Sequence, residues 1–181
     1  MRVAGIDTSL TSTGVAIVRH DGTGELHRIQ STGKATATLQ ERRARLNTLA
    51  DQVSALVLDC GLVVIEQPAY SRTTGSMHDR SGLWWLVVNR IAWNMARLDH
   101  IVEVAPSVRP KYATGSGTAG KDAVLAAVVR RYASWDVDGN DVADALVLAA
   151  MGKRWAGEPI DTLPKVNVAT LSAVRWPEVA A

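Results

Sequence analysis

The sequence has a single cysteine and lacks any long apolar run, and each absence excludes a class of protein. Cys60 cannot form a disulfide within the chain or build a thiolate metal site, so we expect a small buried residue. The apolar runs are too short to span a bilayer, which predicts a protein without a membrane segment. The first residues also lack the basic and apolar regions of a secretory signal, so a cytoplasmic location is expected.

The chain also has little net charge, because 20 basic and 18 acidic residues leave only +2 over 181 residues. This balance is too small to indicate a nucleic-acid partner through the field of the whole protein. Residues 108–131 are more basic, with one acidic residue and five basic ones, Arg109, Lys111, Lys121, Arg130 and Arg131. The stretch is either a surface that contacts phosphates or a solvated loop and helix face.

The first part of the chain predicts strands and one helix. Three strands rich in small and β-branched residues are expected over residues 2–6, 14–19 and 25–30. From Leu39 to about residue 61, apolar residues recur at intervals of three and four, which predicts an amphipathic helix. The apolar run LVVIE at residues 62–66 is typical of a strand that is buried on both faces.

The second part predicts helices separated by loops and one strand. The polar segments 68–82 and 107–120 are predicted as loops, and IVEVA at 101–105 as a strand. Helices are expected over residues 83–98, 121–132 and 141–151, the first of them rich in tryptophan. Residues 157–181 contain three prolines and no sustained period, so they are predicted as a wrapping or disordered tail after a domain of residues 1–156.

This order of elements indicates an α/β fold. Three opening strands form an antiparallel meander, and later strands joined through helices continue the sheet in parallel. A mixed sheet of this kind, flanked by helices, is the arrangement of a ribonuclease H-like fold.

Two carboxylates stand at the ends of predicted strands. Asp7 ends the first strand, where a turn-initiating aspartate is the ordinary interpretation. Glu66 ends LVVIE, and a carboxylate that finishes a buried strand has to be solvated, paired or bound to a cation.

Two further carboxylates, Asp141 and Asp144, lie on one face of the first turn of the last helix. Taken alone, Asp141 has an ordinary interpretation as an N-cap and Asp144 as a complement to the helix dipole. In the predicted fold, however, all four acids can meet at one end of the sheet. Unpaired clustered carboxylates persist only with bound cations or raised pKa values, and their oxygens suit Mg²⁺, with Mn²⁺ as a substitute. The pattern predicts a site with two such ions that hydrolyses phosphodiesters.

Four motifs resemble those of the RuvC family of Holliday junction resolvases, in particular the short versions carried by bacteriophages. GIDTSLTSTGVAIV resembles the opening motif, IEQPA the second acidic motif, and NDVADALVLAA the closing helix. GSGTAGKDAV is similar to the segment that places a lysine near the cleaved phosphate. The match runs in order from Met1 to about Met151 and implies a nuclease that cuts branched DNA.

The resemblance assigns roles to individual residues. It implies four metal ligands or water-activating acids, namely Asp7, Glu66, Asp141 and Asp144. It makes Lys121 a catalytic and DNA-binding residue that contacts phosphate or stabilises developing negative charge. Lys111 or Arg109 would be a second DNA-binding residue, further out in the same loop. Some family members place an aromatic residue three positions after the second acid, where this chain has Ala69, so Tyr70 is the nearest candidate for stacking on bases.

The resemblance also implies a homodimer that nicks two strands of a four-way junction symmetrically. The tryptophan-rich helix over residues 83–98 is either the dimer surface or simply a core helix.

Other interpretations remain open. The same acids suit a ribonuclease H-like nuclease that acts on RNA or on forks and flaps, because they determine the chemistry and not the substrate. A non-catalytic junction-binding module is disfavoured, since an acidic cluster repels DNA unless metal neutralises it. The opening motif also resembles the phosphate loop of actin-like sugar kinases, but those enzymes need two domains and a longer chain.

Overall fold

The computed structural model describes residues 1–68, 76–95 and 98–178. Its centre is a five-stranded sheet with the spatial order β3-β2-β1-β4-β5. The strands are β1 (Val3–Asp7), β2 (Ser12–Val18), β3 (Gly24–Gln30), β4 (Leu62–Glu66) and β5 (Ile101–Val104). The helices are α1 (Leu39–Val57), α2 (Met77–Met95), α3 (Val108–Thr114), α4 (Lys121–Arg131), α5 (Asn140–Trp155) and α6 (Lys165–Val168), with short 3₁₀ helices at Leu98–His100 and Ala169–Ala173.

The sheet mixes both kinds of strand pairing. β1 pairs antiparallel with β2, and β2 pairs antiparallel with β3. On the other side β1 pairs parallel with β4, and β4 pairs parallel with β5. The predicted fold class, an antiparallel meander continued by parallel strands and flanked by helices, is confirmed.

Two helical layers cover the two faces of the sheet. Side chains of β1 alternate between them: Val3 packs in the core that contains α5, whereas Ala4 and Ile6 pack in the core that contains α1 and α2. Because the central strands are buried on both faces, their sequences are almost continuously apolar. Cys60 is buried in the second of these cores, as predicted.

The segment before α4 differs from its prediction as a loop, because α3 occupies residues 108–114 of it. Pro110 lies in the first turn of this helix. Backbone N–H groups in a first turn have no acceptor within the helix, so a proline there removes no helical hydrogen bond. Gly115 ends the helix with a left-handed φ of 88°, and its N–H donates to the carbonyl of Lys111. A proline near the start and a glycine just past the end are helix signals that our interpretation of the sequence overlooked.

Two other helices are longer than predicted. α2 begins at Met77, so its first turns contain polar residues such as His78 and Arg80. These residues are exposed, and a helix can therefore contain them without burying a polar group. α5 continues to Trp155 and includes the buried Lys153, whose ammonium donates to Glu158 and to the carbonyl of Met1. Within the described ranges, no helix combines the length and the apolar character needed to cross a membrane.

The last part of the chain packs against α3, α4 and α5. Asp161 accepts hydrogen bonds from the hydroxyls of Tyr112 and Tyr132 and from the guanidinium of Arg154. The side-chain amide of Asn167 donates to the carbonyl of Tyr112, over 2.8 Å. Residues up to 178 therefore wrap around the core, and the division of the chain at residue 156 stays a prediction.

Candidate active site

Asp7 and Glu66 lie side by side at one edge of the sheet. β1 and β4 are parallel neighbours in which Ile6 pairs with Ile65, so the two acids that follow them come to the same edge. The indole N–H of Trp84, on α2, donates to the carbonyl of Glu66 over 2.9 Å and holds the end of β4. Burial of the apolar strand residues thus determines where the two carboxylates emerge.

The start of α5 brings Asp141, in its first turn, and Asp144, just after that turn, to the same edge. α5 can approach the strands closely because two glycines face it. A Cβ atom on Gly14 would lie 2.0 Å from the carbonyl oxygen of Asp141, and one on Gly5 would lie 2.1 Å from that of Ala145. Distances this short exclude any side chain at either glycine unless the helix moves. The close contact leaves Asp144 almost completely buried.

Ser12, the first residue of β2, supports Asp141. The hydroxyl of Ser12 donates to Asp141 Oδ2 over 2.5 Å. Arg45 of α1 holds the loop before β2, because its guanidinium donates to the carbonyl of Leu10 in that loop and to the hydroxyl of Ser31, just after β3. The hydrogen bond from Ser12 therefore orients the carboxylate of Asp141.

Arg109 lies among the acids and not further out in the segment, so this part of our prediction is wrong. Its Nε donates to Glu66 and another of its guanidinium nitrogens donates to Asp144. The side chain is only 11% exposed. The reason for the difference is α3, whose first turn directs Arg109 at the sheet.

Burial and mutual repulsion perturb the acids. Burial raises the pKa of Asp7 well above the usual range of an aspartate, and the nearby charges of Glu66 and Asp144 raise it further. Burial also raises the pKa of Glu66, an effect that Arg109 opposes. The pKa of Asp144 is raised to about 6, again chiefly by burial. Acids shifted in this way bind a proton or another cation more readily than exposed carboxylates do.

One cleft of about 530 Å³ brings together six residues that the sequence predicts for the site. They are Asp7, Glu66, Asp141, Asp144, Arg109 and Lys121. Lys121 is the first residue of α4. The positive charge of its ammonium lowers the pKa of Glu66 and of Asp144, against the larger effect of burial, which raises both. Lys111 lies on the exposed side of α3 and does not line the cleft, whereas Tyr70 lies outside the described residues.

The donor set is suited to a hard divalent ion, because four carboxylates supply only oxygen. As the side chains stand, no group of three or more acids, histidines or cysteines among the described residues is arranged to hold an ion. In this arrangement the guanidinium of Arg109 binds one oxygen each of Glu66 and Asp144. The chemistry of the donors fits a metal, which Asp7, Glu66, Asp141 and Asp144 would hold.

Sequence reasoning missed Ser12 and Arg80, both close to this site. Arg80 lines the cleft from α2, in a segment that we interpreted as a loop. Ser12 bonds to a residue 129 positions away. The apolar repeat of α2 is a usable signal for Arg80, because a helix extended toward its N-terminus includes that residue. Nothing local in the sequence identifies Ser12.

Comparison with solved structures shows that this chain shares the fold of RuvC. RuvC from Thermus thermophilus is 21% identical with a TM-score of 0.62, over 87% of this chain and 98% of that one. RuvC from T. thermophilus in complex with a Holliday junction substrate is 17% identical with a TM-score of 0.57, over 82% of this chain and 90% of that one. A yeast mitochondrial Holliday junction resolvase is 12% identical with a TM-score of 0.50, over 95% of this chain and 80% of that one. No protein-family model and no curated protein matches the chain.

Proposed function

We propose that this chain is a metal-dependent endodeoxyribonuclease that resolves four-way DNA junctions by paired phosphodiester hydrolysis. One observation carries the proposal: four carboxylates from two strand ends and one helix line a single cleft in a RuvC-like fold. The RuvC structure that contains a Holliday junction substrate supports this choice of substrate over RNA. We place the activity in the cytoplasm of a bacterial or phage-infected cell.

In this proposal Asp7, Glu66, Asp141 and Asp144 hold Mg²⁺, or Mn²⁺ in its place, as two ions in each site. The bound ions would activate water and stabilise the leaving oxygen. Asp7 is suited to the central position among the ions, because the negative charges of the other three acids, Glu66, Asp144 and Asp141, all raise its pKa. A divalent cation would relieve that repulsion, which gives a physical reason for four acids at this place.

The basic residues of the cleft would bind and orient the DNA backbone. Lys121 begins an eleven-residue helix, so its ammonium and the first backbone amides of α4 can both face a phosphate. Arg80 stands on another wall of the same cleft. Lys111, on the exposed side of α3, would add an outer phosphate contact without base preference.

We also propose a homodimer formed through α2. One side of this helix packs in the core through residues such as Leu83 and Ile91, but Trp85 is 58% and Trp93 is 85% exposed. Large aromatic side chains exposed on the same helix are typical of a surface that another protein covers. Sedimentation equilibrium should give about twice the 19.4 kDa chain mass, and Trp85→Glu with Trp93→Glu should give a monomer. A wild-type monomer, free and on DNA, would reject the dimer and leave the nuclease proposal standing.

The main test combines a substrate panel with variants of the acids. Purified protein is incubated with four-way junctions, forks, linear duplex and RNA–DNA hybrids, with Mg²⁺, with Mn²⁺ and with chelator. We expect paired nicks in the four-way junction, only with metal. Cleavage should be lost, with junction binding retained, in Asp7→Asn, Glu66→Gln, Asp141→Asn and Asp144→Asn.

The matched control is Asp59→Asn, because Asp59 is 86% exposed and its ion-pair partner is Arg2, outside the cleft. This variant should cut at the wild-type rate. Equal cutting of duplex and junction would favour a general nuclease of the same fold. Binding without any metal-dependent cutting would favour a junction-binding module.

A further inference from the structure

The contact between Arg109 and the two acids is the feature that the proposed chemistry leaves unexplained. Glu66 ends a strand and Asp144 belongs to a helix, and the guanidinium of Arg109 joins them. Each of the three side chains is at most 11% exposed, so the pairing is shielded from solvent. Charge-assisted hydrogen bonds that are shielded from solvent are screened less by water and salt than those of surface ion pairs.

Arg109 is directed at the acids by a well-anchored helix. Tyr112 and Ala113, on the same short helix, are fully buried, and Pro110 is buried beside them. The carbonyl of Tyr112 is bonded by Asn167, and its hydroxyl is bonded to Asp161. The backbone of α3 is therefore fixed, and the part that can move is the long side chain of Arg109 itself.

The guanidinium and a divalent ion would both bind the carboxylates of Glu66 and Asp144. Without a cation, Asp7, Glu66 and Asp144 would stand close together with like charges in a partly buried place. Arg109 compensates part of that charge with one positive charge, whereas an ion supplies two. The guanidinium uses one oxygen each of Glu66 and Asp144, so an ion that took those oxygens as ligands would have to displace it.

We propose that Arg109 is a built-in cation that holds Glu66 and Asp144 together in the metal-free protein and leaves them when a divalent ion binds. The inference rests on the proposed function, because it concerns how the same acids receive their metal. Its consequence is a coupled exchange: the ion releases one guanidinium into a cleft that would hold a phosphate backbone. The empty site is protected from self-repulsion, and metal entry makes a second cation available to DNA.

The test uses Arg109→Gln without DNA, so that the result does not depend on cleavage. Mn²⁺ affinity is measured by calorimetry and the thermal midpoint is measured in chelator. If Arg109 competes with the ion, Arg109→Gln should bind Mn²⁺ about tenfold more tightly than the wild type. In chelator the variant should unfold at a lower temperature, because its acids have lost their cation. Arg43→Gln, an equal change of charge at an exposed position of α1, should alter neither quantity.

A second measurement uses the wild-type chain and does not depend on how a variant folds. The NMR resonance of the Arg109 Nε–H should be shifted and protected from exchange in chelator, and should lose that protection on titration with Mg²⁺. Unchanged or weaker Mn²⁺ binding by Arg109→Gln, or a resonance that Mg²⁺ leaves protected, would overturn the exchange. If neither the wild type nor the variant binds Mn²⁺, the metal-dependent nuclease itself is rejected. If both bind but junctions are not cut, only the proposed activity fails.

Discussion

The hydroxyl of Ser12 donates a hydrogen bond to Asp141 across 129 positions of the chain. It joins the first residue of β2 to α5, the helix that carries two of the acids. A hydrogen bond to a charged acceptor that fixes its orientation can affect catalysis without touching the substrate.

We therefore expect Ser12→Ala to slow junction cleavage about tenfold, equivalent to about 1.4 kcal/mol, with little change in junction affinity. Ser12→Thr keeps the hydroxyl and should restore most of the rate. The measurement is single-turnover cleavage at saturating Mg²⁺, with junction binding measured separately in Ca²⁺. A wild-type rate for Ser12→Ala would show that this hydrogen bond does not position Asp141.

Gly14 should be intolerant of any side chain. Its added Cβ would stand 2.0 Å from the Asp141 carbonyl oxygen, so Gly14→Ala has to move the start of α5 away from the sheet. We expect a loss of about 3 kcal/mol in the free energy of unfolding, and a larger loss of cleavage than stability alone explains. Gly82→Ala is the control, because the nearest atom to its Cβ would be 3.9 Å away and the position is helical. Urea denaturation should show Gly82→Ala equal to or slightly more stable than the wild type.

Cleavage should rise with pH through the range near 6. The pKa of Asp144 is raised to about 6, chiefly by burial, and a protonated Asp144 cannot bind an ion as a carboxylate does. A bound cation favours the ionised form, so the midpoint of the rate profile should move to lower pH as Mg²⁺ concentration increases. Rates measured across pH at two Mg²⁺ concentrations check this, and a midpoint independent of Mg²⁺ contradicts it.

The same pKa shift predicts how the metal-free protein responds to pH. Because Asp144 binds its proton more tightly when folded than when unfolded, the folded state carries more protons between pH 4 and pH 6. The contribution of Asp144 to the free energy of unfolding therefore falls as pH rises through that window. Denaturation in chelator should show the decrease, and Asp144→Asn should remove part of it.

Two lysines of the same basic stretch should have different roles. Lys121 lines the cleft with the acids, whereas Lys111 is exposed on α3. We expect Lys121→Ala to reduce the cleavage rate of a bound junction far more than its affinity. Lys111→Ala should mainly raise the dissociation constant and flatten its salt dependence. An unchanged single-turnover rate in Lys121→Ala would remove that lysine from the active site.

The strand ends were the part of the site that the sequence predicted well. LVVIE and the apolar residues before Asp7 indicate buried neighbouring strands, and parallel pairing then brings Asp7 and Glu66 to one edge. The structure also places Asp141 in the first turn of α5, where the sequence predicted a helix to start, but Asp144 lies just after that turn. Their assignment as metal ligands stays a prediction.

The surroundings of the acids could not be derived in the same way. Arg109 was misplaced because its helix is short, contains a proline and lies in a stretch rich in loop-forming residues. The partners of Arg109 and Ser12 are set by packing between distant elements, and no local period encodes such contacts. Tyr70, the candidate for stacking on bases, lies outside the described residues and stays a prediction.

The bonds from Asp161 and Asn167 to Tyr112 give the end of the chain an influence on the cleft. Tyr112 is three residues beyond Arg109 on α3. The helix that carries the arginine is therefore held in place by Asp161 and Asn167, which lie far along the chain. A protein shortened to residue 156 would keep every acid and still lose these contacts. Its arginine would no longer be aimed accurately at Glu66 and Asp144, and natural variation near the C-terminus would thus be able to tune a reaction whose chemical groups all lie elsewhere.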